Sequence, residues 1–280
     1  MKNLGYYNGK FAELDELTVP FNDRVHFFGD GVYDATYSHN YRIYALNDHI
    51  DRFYNSAGLL DINIPHTKEE MKSILYDMVK KVDTGDLFVY WQATRGTQIR
   101  NHSFDPKIVA NIWIVLKPAT VKDPATRLKV ITMEDTRFLH CNIKTLNLLP
   151  SVMASQKAES IGCQETILHR AGKVTECAHS NVSILKNGKF ITAPTDHLIL
   201  PGITRMHIIK MCKKLLIPVD ETTFTLEELF SADEVIVSSA GQLAMGVSSI
   251  DGKPVGGKAP ELLSKIQNAL FEEYLEETEK

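Results

Sequence analysis

Short stretches that alternate apolar and polar residues are interleaved along this chain with longer ones whose apolar residues recur every three to four positions. That is the pattern of sheets packed by amphipathic helices. Tyr6-Tyr7-Asn8-Gly9-Lys10-Phe11 sets an Asn-Gly pair between two strand-like runs, a strong hairpin signal. Gly29-Asp30-Gly31 punctuates an aromatic run, and paired glycines let backbone come close to a neighbour. Val32 to Tyr37 then reads as a strand, with a second hairpin at Ser38-His39-Asn40. From Asn47, a capping residue type, Ile50, Phe53, Tyr54, Ala57 and Leu60 recur at helical spacing, which leaves Arg52 off the apolar stripe, where an arginine is expected to face water. A second amphipathic helix is expected over Lys68 to Val82. Leu87 to Thr94 alternates as a strand, runs into the polar loop Arg95 to His102, and is followed by the strand-like Ile108 to Leu116.

Two prolines between Lys117 and Pro124 stop that strand and favour an extended segment. We therefore expect a small N-terminal domain over residues 1–118, a linker over 119–124 and a larger C-terminal domain over 125–280. In the latter, Leu128 to Met133 reads as a strand, and a helix starts near Leu148 with Pro150 tolerated in its first turn. Strand signals follow at Glu165 to His169, Lys173 to Thr175, Val182 to Leu185 and Lys189 to Thr192, separated by Ala171-Gly172 and Asn187-Gly188 turns, as in a mixed or mostly antiparallel sheet. Helices are expected over Ile203 to Leu216, Leu226 to Phe230 and Ala259 to Glu276, with a buried strand over Glu234 to Ser238.

Composition narrows the function classes. With 44% hydrophobic and 24% charged residues in 280, the chain is an ordinary globular one, and a net charge of −4 leaves no basic surplus for nucleic acid or anionic membrane. The opening MKNLGYYNGKFAELDEL is polar and acidic, unlike a secretory leader, so a cytoplasmic location is expected. Cys141, Cys163, Cys177 and Cys212 lack paired spacing and read as reduced thiols, and the histidines form no ligand pattern with them, so no metal is expected.

Four features carry possible chemistry. Lys144, between Ile143 and Leu146, sits where apolar neighbours favour a nucleophilic amine, although a strand-edge lysine with a packed stem would look the same. Pro201-Gly202-Ile203-Thr204-Arg205 opens a helix with a glycine, a hydroxyl and free N–H groups, suited to a phosphate or to ordinary capping. Val237-Ser238-Ser239-Ala240-Gly241-Gln242 ends a buried strand in small residues, suited to a phosphate or a tight turn. Glu176 ends an apolar strand, where burial demands a cation; a protonated ring nitrogen would serve, and so would an arginine.

Taken together, FGDGVYD, NDHIDRFYNSA, YWQATRGTQIRNHSF, EDTRFLHCNIKTLNLL, ILHRAGKVTE, HSNV and ILPGITR, in this order, resemble the fold-type IV pyridoxal-phosphate enzymes, and within them the bacterial D-amino acid transaminases. The resemblance implies an α/β, two-domain fold-type IV architecture with pyridoxal 5'-phosphate in the interdomain cleft, and a homodimer. It gives Lys144 the covalent hold on the cofactor and the proton transfers of catalysis, and Glu176 the pairing with the pyridine nitrogen. Arg52, Ile203, Thr204, Ser239 and Ala240 become phosphate ligands, and Leu200 lies against the ring. Tyr33, Arg100 and His102 become the trap for the substrate α-carboxylate, on a loop that reaches across from the partner subunit. The chain departs from the family pattern at Ala240, where threonine is more usual, and at Pro150, Cys177 and Ala244-Met245-Gly246. The implied substrates are D-amino acids, D-alanine first, and 2-oxo acids. An aminodeoxychorismate lyase, a branched-chain L-transaminase and a non-catalytic cofactor binder are the alternatives; retention of Lys144 with Glu176 argues against the last.

Overall fold

The computed structural model describes residues 2–279, and the chain divides into two compact units. The first takes in Met1–Thr120, Ile143–Asn147 and Leu275–Lys280, and the second Val121–Asn142 and Leu148–Tyr274. Two returns of the chain therefore depart from a single cut at the linker, and one of them carries Lys144.

The first unit is built on a six-stranded antiparallel sheet of β1 (Leu4–Tyr7), β2 (Lys10–Ala12), β3 (Gly31–His39), β4 (Arg42–Ile43), β5 (Leu87–Thr94) and β6 (Asn111–Pro118), in the order β2-β1-β6-β5-β3-β4. The β1–β2 connection is the Asn-Gly turn, with Asn8 and Gly9 both at positive φ. A one-turn helix α1 (Val25–Phe28) precedes β3, and α2 (Leu46–Leu59) and α3 (Lys68–Val79) supply the apolar cover. Ile50, Phe53 and Ala57 from α2, Met71, Leu75 and Met78 from α3, and Val89 and Trp91 from β5 belong to one core cluster. Thr67 and Glu70 close a reciprocal capping box at the start of α3. The start of α2 lacks a side-chain cap: Ala45 precedes it in the left-handed region, and its N–H donates to Glu277 instead. Residues 117 and 118, read as the start of the linker stretch, finish β6 by pairing with Phe88 and Leu87.

The second unit holds a mixed nine-stranded sheet and four helices. The strands are β7 (Leu128–Glu134), β8 (Glu165–Arg170), β9 (Lys173–Cys177), β10 (Asn181–Lys186), β11 (Lys189–Thr192), β12 (Val219–Asp220), β13 (Glu234–Ser239), β14 (Leu243–Ile250) and β15 (Lys253–Pro254). The order is β12-β11-β10-β13-β14-β7-β8-β9, with β15 on β14; β7 pairs in parallel with both β8 and β14. Strand β14 was not foreseen. Its first five residues are buried on both faces, so no alternation marks it, and Gly246 interrupts it because a Cβ there would lie 3.0 Å from Leu263. The helices are α4 (Leu149–Glu159), α5 (Ile203–Lys214), α6 (Leu226–Ser231) and α7 (Pro260–Glu279), whose residues from Leu275 on count with the first unit, and Pro150 is in the first turn of α4 as expected. Among the described residues no helix is long and apolar enough to cross a membrane, and all four cysteines are free.

Candidate active site

In the first unit, the Lys144 segment is laid along β3. Tyr33 N–H donates to the Lys144 carbonyl at 2.9 Å, Leu146 N–H donates to Gly31 O at 3.0 Å, and Val32 and Thr145 form an isolated antiparallel bridge between these bonds. Gly31 permits the approach, because a Cβ there would stand 2.6 Å from Leu146 and 2.7 Å from the Ala93 carbonyl. The Lys144 N–H reaches Ser56 Oγ at 3.2 Å, while its Nζ lies 4.3 Å from the centroid of the Tyr33 ring, which in turn stacks on Tyr90. Lys144 is thus half-buried over an aromatic face, on a short extended segment with backbone bonds on both sides.

Asp34, next on β3 and fully buried, accepts Arg52 Nε at 2.9 Å and Nη2 at 2.7 Å, and His49 Nδ1 at 2.7 Å. Against the opposing cost of burial, the Arg52 guanidinium and the His49 hydrogen bond hold the Asp34 carboxyl well below its usual range. The reading of Arg52 as a water-facing arginine is corrected here: it is off the apolar stripe because it packs on a buried carboxylate, an ion pair that sequence spacing does not register. His49 is kept neutral chiefly by burial, with the Lys144 charge among the lesser causes, and its Nε2 has no hydrogen-bond partner among the described residues.

Arg100 and His102 stay on an exposed loop, where the Arg100 guanidinium and the His102 ring each lie 5.2 Å from the centroid of the Phe28 ring. The structure brings these two together. It leaves Tyr33 with Lys144 and Tyr90 on β3.

In the second unit, Glu176 on β9 is the organising charge. It accepts Arg137 Nη1 on Oε1, and Asn181 Nδ2 at 2.9 Å and Leu200 N–H at 3.1 Å on Oε2. The cation that its burial demands is supplied by Arg137, which the sequence reading passed over inside the motif EDTRFLH. Arg137 is shared with fully buried Asp135, which also accepts from Arg170 and Thr175; these donors lower the Asp135 carboxyl to about 2 against the opposing pull of burial. The Asp-x-Arg spacing was the available signal, since it lets one guanidinium reach back to a carboxylate two residues earlier while facing a second.

Asn181 Nδ2 also donates to Leu200 O at 3.0 Å, so the carboxylate, Leu200 and the start of α5 are tied through one amide. Gly202 is the N-cap of α5 and no side chain caps the helix; a Cβ at Gly202 would fall 1.8 Å from Asn181 Oδ1. Ile203 and Thr204, buried in the first turn, present backbone N–H groups at a positive helix end. Helix α5 packs on β13, at whose end lie Ser239, donating to Gln242 Oε1 at 3.3 Å, and Ala240, both half-buried. This unit therefore offers an uncapped helix start and small residues that admit a phosphate, next to a carboxylate suited to a protonated ring nitrogen. The residues present fit pyridoxal phosphate.

The amino-transferase class IV family matches residues 31–250, and the chain belongs to that family. It is 40% identical over 279 residues to a D-alanine aminotransferase of Listeria monocytogenes serotype 4b (strain F2365), covering 96% of this chain and 95% of that one. It is 38% identical to a D-alanine aminotransferase of Bacillus licheniformis, covering 98% of both. Among solved structures, a branched-chain amino acid aminotransferase from Escherichia coli superposes with a TM-score of 0.90 at 23% identity, over 99% of this chain and 96% of that one, which establishes the fold-type IV architecture.

Proposed function

We propose that this chain is a pyridoxal-phosphate-dependent transaminase that moves the amino group between D-amino acids and 2-oxo acids, taking D-alanine and 2-oxoglutarate to pyruvate and D-glutamate. The observation that carries it is near-full-length identity to D-alanine aminotransferases in a chain that keeps Lys144, Glu176 and the Arg100/His102 pair. The branched-chain neighbours share the fold at 24% identity or less and do not weigh against it.

The cofactor, when bound, supplies the electron sink for the carbanion that forms at the substrate α-carbon. Lys144 would hold it through Nζ, and the same amine would move the proton at the substrate α-carbon. Tyr33 gives that amine an aromatic wall that excludes water from one side. Glu176, which accepts from Arg137, Asn181 and the Leu200 N–H, would pair with a protonated pyridine nitrogen. Arg52, Ile203, Thr204, Ser239 and Ala240 would hold the phosphate, Ala240 with its backbone alone, and Leu200 would contact the ring. Arg100 and His102, with Tyr33, take the α-carboxylate on a loop contributed by the partner subunit of a homodimer. The four free thiols suit a cytoplasmic setting.

Incubation with D-alanine and 2-oxoglutarate, followed by chiral separation of the products, tests the assignment. D-Glutamate and pyruvate in equal amounts are expected; no D-glutamate, or L-glutamate in its place, would overturn the assignment.

A further inference from the structure

We propose that Arg24 is the positioning residue of the substrate-carboxylate loop, holding its backbone while Phe28, one helical turn on, carries its side chains. The proposal rests on the reading of Arg100 and His102 as carboxylate ligands. Arg24 is 3% exposed, and its guanidinium collects three successive carbonyls of the loop: Asn101 O at 2.6 Å, His102 O at 3.1 Å and Ser103 O at 3.4 Å. A neutral side chain at this position could not fill that concentration of acceptors, whereas a planar five-donor fork can.

The clamp is itself braced. Arg24 Nε donates to Asp30 at 2.8 Å, and Asp30 also accepts Arg95 Nε at 2.9 Å on both oxygens. Arg95 donates on to Asp61 O and lies 3.9 Å above the Phe104 ring, closing the far end of the loop. Arg24 sits 4.9 Å from the Phe28 centroid, and Arg100 and His102 also lie against this ring. Helix α1 and its leading residue thus present two side chains with separate tasks, one gripping main chain and one supporting the two side chains that bind substrate. An exposed loop with little core of its own would otherwise sample many conformations, and each would lower the effective affinity of the trap. Arg24, Phe28 and Asp30 lie in or beside the FGDGVYD motif, which gives that motif a purpose beyond the turn.

Arg24→Lys keeps a charge opposite Asp30 but cannot span three carbonyls. In the holoenzyme it is expected to raise KM for D-alanine fivefold or more while kcat stays within twofold, and to speed hydrogen exchange of the amides from residue 98 to 105 with the melting temperature little changed. In an Arg100→Ala/His102→Ala background the same change is expected to move KM less than twofold, because Arg24 acts only through the two side chains that are then gone. Phe28→Leu, which leaves the ion pairs intact, is expected to give the same KM signature and serves should Arg24→Lys misfold. Unaltered loop exchange, or a KM effect that persists in the doubly substituted background, overturns the proposal, as does general unfolding in both variants. Unaltered KM in Arg100→Ala alone, with loop exchange still faster in Arg24→Lys, would instead sink the carboxylate reading and leave the clamp standing.

Discussion

Arg137 donates from opposite ends of one guanidinium to Glu176 and to Asp135, so a single cation joins the two buried carboxyls. Two consequences separate the electronic role of Glu176 from its structural one. Glu176→Gln keeps the hydrogen-bond shape toward Asn181 but removes the charge, so kcat is expected to fall by two orders of magnitude or more. Cofactor affinity is expected to fall only about tenfold, since a charge-assisted bond contributes ~1.5 to 3 kcal/mol. Equal losses in equilibrium cofactor binding and in single-turnover rate would mark Glu176 as a structural acid.

Acid should destabilise the second unit through two named carboxyls. Asp135 and Glu273 are both lowered to about 2, against burial that raises them, by donors that include Arg137 for the first and His207 and Lys210 for the second. Because their folded values lie below the unfolded ones, their stabilisation is fully present above about pH 5 and is lost as pH falls toward 2. Urea unfolding midpoints measured from pH 7 to 3 are expected to fall steadily below pH 5, and less steeply in Glu273→Gln. An identical slope in that variant would remove Glu273 from the account.

Asp34→Asn tests the anchoring of Arg52. Removing one partner of a buried ion pair costs about 3 to 5 kcal/mol, and Arg52 would lose the opposing charge and one of its two acceptors on this side chain. A lower unfolding free energy together with faster cofactor loss on dialysis is expected. Unchanged cofactor retention in a destabilised protein would mean that Arg52 is placed by α2 alone.

What could be read from the chain and what could not divides along physical lines. Strands and helices with one wet face, such as β5 and α3, announce themselves by period. Strand β14 does not, because both faces are buried, and neither does the αL start of α2, which leans on Glu277 far along the chain. Glu176 could be flagged as needing a cation; the Asp-x-Arg spacing ties Arg137 to Asp135, while its second carboxylate, 39 residues on, is set by the fold. Arg52 looked like a surface charge for the same reason: its carboxylate partner is set by the tertiary fold. Lys144 was singled out by its setting, but its seat along β3 depends on Gly31, whose missing side chain is only half of that contact.

Subunit crossing is testable by complementation. Arg100→Ala and Lys144→Ala proteins, each inactive or impaired alone, are expected to regain D-alanine-dependent pyruvate formation after subunit exchange, since one site per heterodimer would then be intact. No recovery despite demonstrated exchange would place the loop in its own subunit's site.

The most direct test of the central claim is an absorbance titration of the purified holoenzyme, without 2-oxo acid, first with D-alanine and then with L-alanine. Lys144-bound cofactor should absorb in the visible. We expect D-alanine to bleach that band stoichiometrically with release of pyruvate, L-alanine to leave it unaltered, and Lys144→Ala to show neither the band nor turnover. Bleaching by L-alanine at the same rate as by D-alanine would contradict the assignment.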